Sequence, residues 1–224
     1  MGLADLLSNY GSLYAQALFT TWWMTAISFV SAMVLAIVVT VMRVSPIMPL
    51  RVVGDAYVQV FRNVAGVSLL VIIIYALPHL GVTIDYMPSV LITVTLIASG
   101  FGSENFMSGI NTVGVGQVEA ARSIGLSFGQ MLRLVVIPQA LRSAVLPMTN
   151  LCIAVMLSTA LASQTPQNIA GNPLELTGVV SYVTTVETTG GISAFLISAL
   201  GYVGTALVIG FVGNRIDRKV RVIR

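Results

Sequence analysis

Few side chains in this 224-residue sequence could take part in bond-making chemistry. There is one histidine, His79, and one cysteine, Cys152. Because they lie far apart in the sequence, they do not suggest a metal site. No G-x-x-x-x-G-K-S/T sequence, which would cradle nucleotide phosphates, is present, and no nucleophile has a base placed to activate it. We therefore expect no catalytic residue, no metal and no cofactor in this chain.

Charged residues inside apolar segments are the next candidates. Arg62 and Glu104 both fall within such segments, where an ionisable group is costly and needs a partner or a function. We favour pairing between the two; the alternatives are a contact at an interface or gate, and a contact with substrate. Four uncharged polar residues could also line a path, although hydrogen bonding between helices is the commoner role of such residues. These are Asn63, Asn150, Ser158 and Thr159.

The most informative spacing lies between residues 110 and 142. Glu119-Ala120-Ala121 is followed by Arg122 and Gly125, and after nine further residues by Val135-Val136-Ile137-Pro138. The two alanines leave a thin helix that could lie against a partner, and Gly125 permits a sharp turn into a second short helix. This segment predicts a docking loop; the alternative is an amphipathic connector on the membrane surface. The apolar side of the second helix would be formed by Leu126, Phe128, Met131 and Leu132.

The composition shows whether the surface of this protein is suited to water or to lipid. Apolar residues make up 56% of the chain, Asp, Glu, Lys and Arg together make up 8%, and the mean hydropathy is +0.94. Soluble domains are about one quarter charged. The sequence therefore predicts an all-α integral membrane protein with room for about five or six spans. The net charge of +3 indicates no nucleic-acid partner, because in a membrane protein the placement of basic residues matters more than their sum.

Apolar stretches predict five transmembrane helices within a single domain of residues 1–224. Ten of the eleven Lys and Arg residues lie in the loop after the first span, in residues 110–142 or in the C-terminal tail. Basic residues mark cytoplasmic loops, so we expect the N-terminus outside and the C-terminus in the cytoplasm. The predicted spans are about 17–43, 55–77, 87–109, 143–163 and 191–213.

The spacing from Glu119 to Pro138 resembles the EAA loop of binding-protein-dependent ABC importers, with only aliphatic changes at its end. Phe61-Arg62-Asn63 and Pro138-Gln139-Ala140-Leu141-Arg142 resemble motifs of the polar amino acid class of these permeases, and Met42-Arg43-Val44-Ser45-Pro46 resembles the glutamate-import permeases. This resemblance implies the type I ABC importer (MetI-like) permease fold. It also implies that the loop forms a coupling helix, which docks in a groove of the ATPase subunit. The coupling residues would be Glu119, Ala120, Ala121, Arg122, Gly125, Leu126 and Phe128.

The same resemblance implies the partners of the chain. We expect two ATPase subunits that carry ATP and magnesium, a second permease subunit, an extracytoplasmic substrate-binding protein and membrane lipid, in a bacterial cell membrane. Glutamate is the first substrate expected, followed by glutamine, aspartate and basic amino acids. Val64-Ala65 stands where the class usually has Thr-Pro, and Leu157 lies in a segment where a lysine is usual. These departures indicate a heterodimer in which the second permease carries more of the substrate site.

Two other functional classes remain open at this level. An ion- or proton-coupled secondary carrier needs intramembrane carboxylates and usually internal repeats; Glu104 is the one carboxylate that could serve, and no repeat is visible. A membrane scaffold with a basic tail would leave the spacing from Glu119 to Pro138 unexplained.

Overall fold

The computed structural model describes residues 2–164, 173–187 and 190–220, and this part of the chain is helical, with no strand. Two π-helical segments, Ile72–Ala76 and Leu132–Val136, and two 3-10 segments, Leu77–Leu80 and Thr159–Gln164, extend or join the α-helices. In chain order the α-helices are α1 (Leu3–Val44), α2 (Met48–Asn63), α3 (Gly66–Val71), α4 (Tyr86–Asn111), α5 (Val115–Ser123), α6 (Phe128–Met131), α7 (Ile137–Ser143), α8 (Val145–Ser158), α9 (Leu176–Val186) and α10 (Gly191–Val220).

Four of the described helices are long and apolar enough to cross a membrane, and a bent pair makes a fifth candidate. The four are α1, α4, α8 with its 3-10 extension, and α10. Helix α4 follows the expected span 87–109 closely, whereas α1 begins at Leu3 instead of residue 17. Asp5 in its first turn accepts a hydrogen bond from the Gly2 N–H at 3.0 Å, and its first turns pack against α9 and α10 through Leu6, Tyr14 and Ala17.

The segment expected to form span 55–77 is not one continuous helix, because the chain bends by 102° between α2 and α3. Val64 and Ala65 adopt extended backbone conformations there, although neither is proline. Contacts on both sides fix the bend. Arg62 at the end of α2 pairs with Glu104 of α4, and Gly66 at the start of α3 lies close to Leu161.

Both π-helical segments have the same local cause. Each ends two residues before a proline, Pro78 in the first case and Pro138 in the second. A proline in a continuing helix lacks an N–H donor, and its ring clashes with the carbonyl four residues earlier. A wider π turn moves that carbonyl away, so the helix continues instead of stopping.

Helices α1 and α4 run parallel and form the centre of the bundle. At one end Thr40 of α1 donates a hydrogen bond to Ser103 of α4 at 3.1 Å. The C-terminal ends of α1, α4 and α10 lie at this end, which also carries α5 to α7, and we call it the loop end. The main core joins α1, α3, α4 and α8, and its buried residues are Met24, Ala32, Leu70, Val90, Val94, Ala98, Leu151, Val155 and Ala162.

Part of the polar loop expected between spans four and five is helix α9, which is buried along one side. Glu175, only 1% exposed, caps this helix by accepting hydrogen bonds from the backbone N–H groups of Thr177 and Gly178 at 2.6 and 2.7 Å. Tyr202 of α10 donates a third hydrogen bond to the same carboxylate at 2.9 Å. Helix α9 therefore lies between α1 and α10, with its first turn about one third of the way along α10.

Helices α8 and α10 approach closely where Gly213 faces Thr149. A Cβ atom on Gly213 would overlap the Thr149 side chain. We expect Gly213→Ala to destabilise the protein by about 1–3 kcal/mol through overpacking, against an alanine helix preference of about 1 kcal/mol. The thermal unfolding midpoint in detergent measures this. Gly210→Ala on the same helix would meet no atom within 4 Å and should not lower the midpoint; equal midpoints for the two variants would contradict the packing.

Candidate functional site

Residues Val115–Ser143 form a helix, a tight turn and a second helix. We call this segment the coupling loop, after the role that the sequence predicts for it. Gly125 has a left-handed φ of 82°. Its N–H donates to the carbonyl of Arg122 at 2.9 Å, and the N–H of Leu126 donates to the carbonyl of Ala121 at 3.2 Å. This is the Schellman pattern that ends a helix on glycine. The sharp turn predicted at Gly125 is confirmed.

The second helix of the coupling loop begins with a capping box. The backbone N–H of Gln130 donates to Ser127 Oγ at 3.4 Å, and the Gln130 side chain accepts a hydrogen bond from the N–H of Ser127 at 2.9 Å. From there α6, the π turn and α7 continue to Ser143. Local sequence signals thus define both helix ends at the turn.

The coupling loop has its own small hydrophobic core. Residues in this core are buried inside the loop, and the others lie on its surface. Ala121, Met131 and Val136 are buried against one another, and Leu126 packs on them. Ala121, one of the predicted coupling residues, has its methyl group in the loop interior and does not face outward. Leu126 is half-buried, and the remaining predicted coupling residues are exposed: Glu119, Ala120, Arg122, Gly125 and Phe128.

Two apolar residues on the outer face of the loop were missed by the sequence reasoning. Val115 is 72% exposed and Ile124 is 76% exposed. Ile124 lies directly before the left-handed Gly125, so the turn that ends α5 also turns its side chain outward. The sequence did contain a signal for this exposed side chain: an aliphatic residue stands immediately before a glycine that can end a helix.

The coupling loop is attached directly to the end of α4. A Cβ atom on Gly109 would lie 2.6 Å from the carbonyl oxygen of Ala140, so only glycine permits this approach. Thr112 at the end of α4 donates a hydrogen bond to Ser143 Oγ at 3.1 Å. The second helix of the loop and α4 are therefore in backbone contact.

A chain of ion pairs lies at the junction of α1, α2 and α4. Arg43 Nε is 2.8 Å from Asp55, and Arg43 Nη2 is 3.0 Å from Glu104 Oε1. Arg62 Nη1 is 3.4 Å from the same Glu104 oxygen. The predicted pairing of Arg62 with Glu104 is confirmed. However, Glu104 has a closer partner in Arg43, at the end of the expected span 17–43, and this contact was not predicted.

A groove of about 490 Å³ lies between α3, α4 and α8. Among the described residues its lining carries no charge, and its side-chain polar groups are those of Ser158 and Gln164. Most of the lining is apolar. Those residues are Gly66, Val67, Val94, Ile97, Ala98, Phe101, Leu151, Ala154, Val155, Leu157, Ala160 and Leu161.

The predicted polar path residues do not converge in one place. Of this set, Ser158 lines the groove. Thr159 is buried and donates to the Met156 carbonyl at 2.7 Å. Asn63 donates to the Gln59 carbonyl at 2.6 Å, and Asn150 is exposed on α8. Arg62 and Glu104 belong to the ion-pair chain.

Comparison with known proteins extends over most of the chain. Residues 33–222 match the family described as binding-protein-dependent transport system inner membrane component. The glutamate transport system permease protein GluC of Corynebacterium efficiens is 34% identical over 173 residues, 72% of this chain and 76% of that protein.

Two solved structures have the same fold. A crystal structure of an amino acid ABC transporter with histidines contains a chain that is 23% identical, with a TM-score of 0.86 over 98% of this chain and 99% of that one. The inward-facing MetNI methionine ABC transporter contains a chain that is 23% identical, with a TM-score of 0.76 over 96% of this chain and 99% of that one.

The left-handed conformation of Gly125 can be tested by substitution. Gly125→Ala should loosen the coupling loop, because an L-residue in this conformation costs about 1–2 kcal/mol. Hydrogen exchange at the Leu126 amide should accelerate by about 5- to 30-fold. Gly129→Ala is the control, since Gly129 has no positive φ and an added methyl group there would meet no atom within 4 Å. Equal exchange in the two variants would show that the turn does not hold the loop.

Proposed function

Since this chain belongs to the family of binding-protein-dependent transport system inner membrane components, we propose that it forms one half of the pore of an ATP-driven importer for glutamate or a related polar amino acid. The chain is a multi-pass permease subunit of an ABC amino acid importer in the bacterial inner membrane, with the MetI-like type I importer fold. Its relatives are permeases and not ATPases. The family assignment gives no support to an ion- or proton-coupled secondary carrier.

The outer face of the coupling loop carries the proposal. It combines the exposed apolar side chains of Val115 and Ile124 with the charged side chains of Glu119 and Arg122. A surface buried in a membrane would exclude the charges, whereas a groove in a soluble subunit accommodates an apolar centre with a polar rim. We infer that two ATPase subunits, which bind ATP and magnesium, dock on this face and its counterpart in the second permease.

The attachment of the loop to α4 suggests how docking is coupled to transport. The loop contacts Gly109 and Thr112 at the end of α4, and α4 also lines the groove through Val94, Ile97 and Phe101. Closure of the ATPases would shift the loop, and α4 would carry that displacement to the groove. The ATPases can drive this change because they bind the two permease states with different affinity.

The groove supports the proposal of a second, different permease. A glutamate molecule carries three charged groups, and the described lining of the groove has none. Leu157, which lines the groove and is 51% exposed, offers no ion pair. We infer that the partner permease supplies most of the charged contacts to substrate, and that Ser158 lines this half of the path.

The orientation follows from the basic residues. Arg43, the coupling loop and the end of α10 with Arg215, Arg218 and Lys219 lie at the same end of the bundle. We infer that the loop end faces the cytoplasm. The substrate-binding protein would then deliver its ligand at the opposite end, where α9 packs on the first turns of α1.

Docking through Ile124 is tested by substitution. In the complete transporter, Ile124→Asp should reduce substrate-stimulated ATP hydrolysis at least 10-fold, since central apolar contacts at interfaces are worth about 2 kcal/mol or more. Ile47→Asp is the control, because Ile47 is 55% exposed at the start of α2 and outside the coupling loop. Full stimulation in the Ile124 variant would contradict docking by this face.

The composition of the complex is tested by mild-detergent purification of this chain from its native membrane, with mass identification of the proteins that accompany it. We expect an ATPase, a second permease of different sequence and a binding protein. An ATPase with this permease alone would overturn the heterodimer, and recovery of this chain alone would overturn the importer.

A further inference from the structure

Polar side chains of α2 contact α4 at two places along the helix. Nearer the middle of α2, the Tyr57 hydroxyl lies 2.6 Å from Ser99 Oγ. At the end of α2, Arg62 reaches Glu104 at 3.4 Å. The chain bends by 102° directly after this second contact, so the Arg62 contact lies at the point where α2 turns into α3.

The two arginines that share Glu104 are held very differently. Arg43 is 12% exposed and has three polar partners: Asp55 at 2.8 Å, Glu104 at 3.0 Å and Ser103 at 3.2 Å. Arg62 is 37% exposed, and the contacts described for its guanidinium are Glu104 and the ring of Phe101, 5.4 Å from the ring centre. Because Arg43 Nη2 also contacts Glu104, losing Arg62 would leave this carboxylate with one arginine partner, whose charge it shares with Asp55.

The backbone of α4 at Gly100 leaves room for the Arg62 side chain. A Cβ atom on Gly100 would lie 3.3 Å from Arg62 Cγ, so the glycine lets the arginine stem lie flat on α4. Phe101, the next residue, contacts the guanidinium on one side and lines the groove on the other. Arg62 is therefore adjacent to the groove without lining it.

Helix α4 connects all of these parts in one rigid element. Gly109 at its end contacts the coupling loop, Glu104 lies about one and a half turns earlier, and Phe101 and Ile97 face the groove. A displacement of α4 relative to α2 at this end would stretch the Arg62 contact, whereas the Tyr57 contact lies nearer the middle of α2 and can act as a pivot.

We propose that Arg62 is a positioning residue that latches the α2–α3 bend to α4 in the resting transporter and releases Glu104 when α4 moves. Arg43 retains Glu104 during this change, so the latch opens without exposing an unpaired carboxylate. The latch opposes the movement of α4 until the loaded binding protein and ATP favour it. This inference rests on the proposed importer function, and it assigns Arg62 a role in coupling and not in substrate binding.

The first test measures ATP hydrolysis by the complete transporter in proteoliposomes. Arg62→Gln should raise hydrolysis in the absence of substrate by about two- to fivefold, the range expected for a partly exposed ion pair, and should leave the stimulated rate unchanged. Arg51→Gln is the control, because Arg51 donates to the Ser45 carbonyl in the loop between α1 and α2. Substrate-free hydrolysis at the wild-type rate in Arg62→Gln would overturn the latch.

The second test measures the displacement directly. Spin labels at the exposed positions Val60 of α2 and Ser108 of α4, in a chain with Cys152 replaced by alanine, report the distance between the two helices. In the wild type we expect a narrow distribution of label-to-label distances at rest. After vanadate trapping with the binding protein, this distance distribution should shift. Arg62→Gln should show the shifted distances at rest, and a resting distribution identical to the wild type would overturn the proposal.

Separate outcomes distinguish the latch from the function on which it rests. A wild-type complex without substrate-stimulated hydrolysis would contradict the importer, whereas a stimulated wild type with an unaltered Arg62→Gln would contradict the latch alone. If Arg62→Gln fails to assemble, Phe101→Leu replaces it, since this variant removes the ring beneath the guanidinium and keeps every charge. We expect a smaller rise in substrate-free hydrolysis, and no rise would overturn the latch.

Discussion

The packing at the loop end depends on Arg43 more than on any other described side chain. Its guanidinium joins α1 to Asp55 of α2 and to Ser103 and Glu104 of α4. A charge at this depth is stable only when its partners are supplied by the protein. In the resting arrangement these contacts hold the three helices in one relative position near this residue, and Arg62, at the bend after α2, reaches the same Glu104 carboxylate.

Close backbone contacts complete this arrangement without further charges. Gly54 leaves room for the stem of Arg43, Gly100 for that of Arg62 and Gly109 for the carbonyl of Ala140. In lipid, apolar burial alone does not drive helices together, so small residues and hydrogen bonds determine where they touch. Helix α4 contains two of these three glycines, and for this reason it can contact α2 and the coupling loop at once.

The coupling loop is a mainly local structure on this scaffold. Its turn depends on Gly125 and its second helix on the capping box of Ser127 and Gln130. Its orientation is instead a tertiary property, since it depends on the contact between Gly109 and Ala140. A unit that is internally rigid and attached at one end is suited to transmit a displacement from a docked subunit to α4.

The membrane environment, the all-helical class, the turn at Gly125 and the pairing of Arg62 with Glu104 could all be predicted from the sequence, because hydropathy, glycine conformation and the cost of buried charge are local properties. The bend at Val64-Ala65, the burial of Ala121, the depth of Glu175 and the exposure of Ile124 could not. Each of these depends on residues distant in sequence that lie across a helix contact. In a chain with so few charged residues, the sequence does not distinguish apolar residues that face lipid from those that face the protein core or a partner. Only the tertiary contacts show which of these three surroundings a residue has.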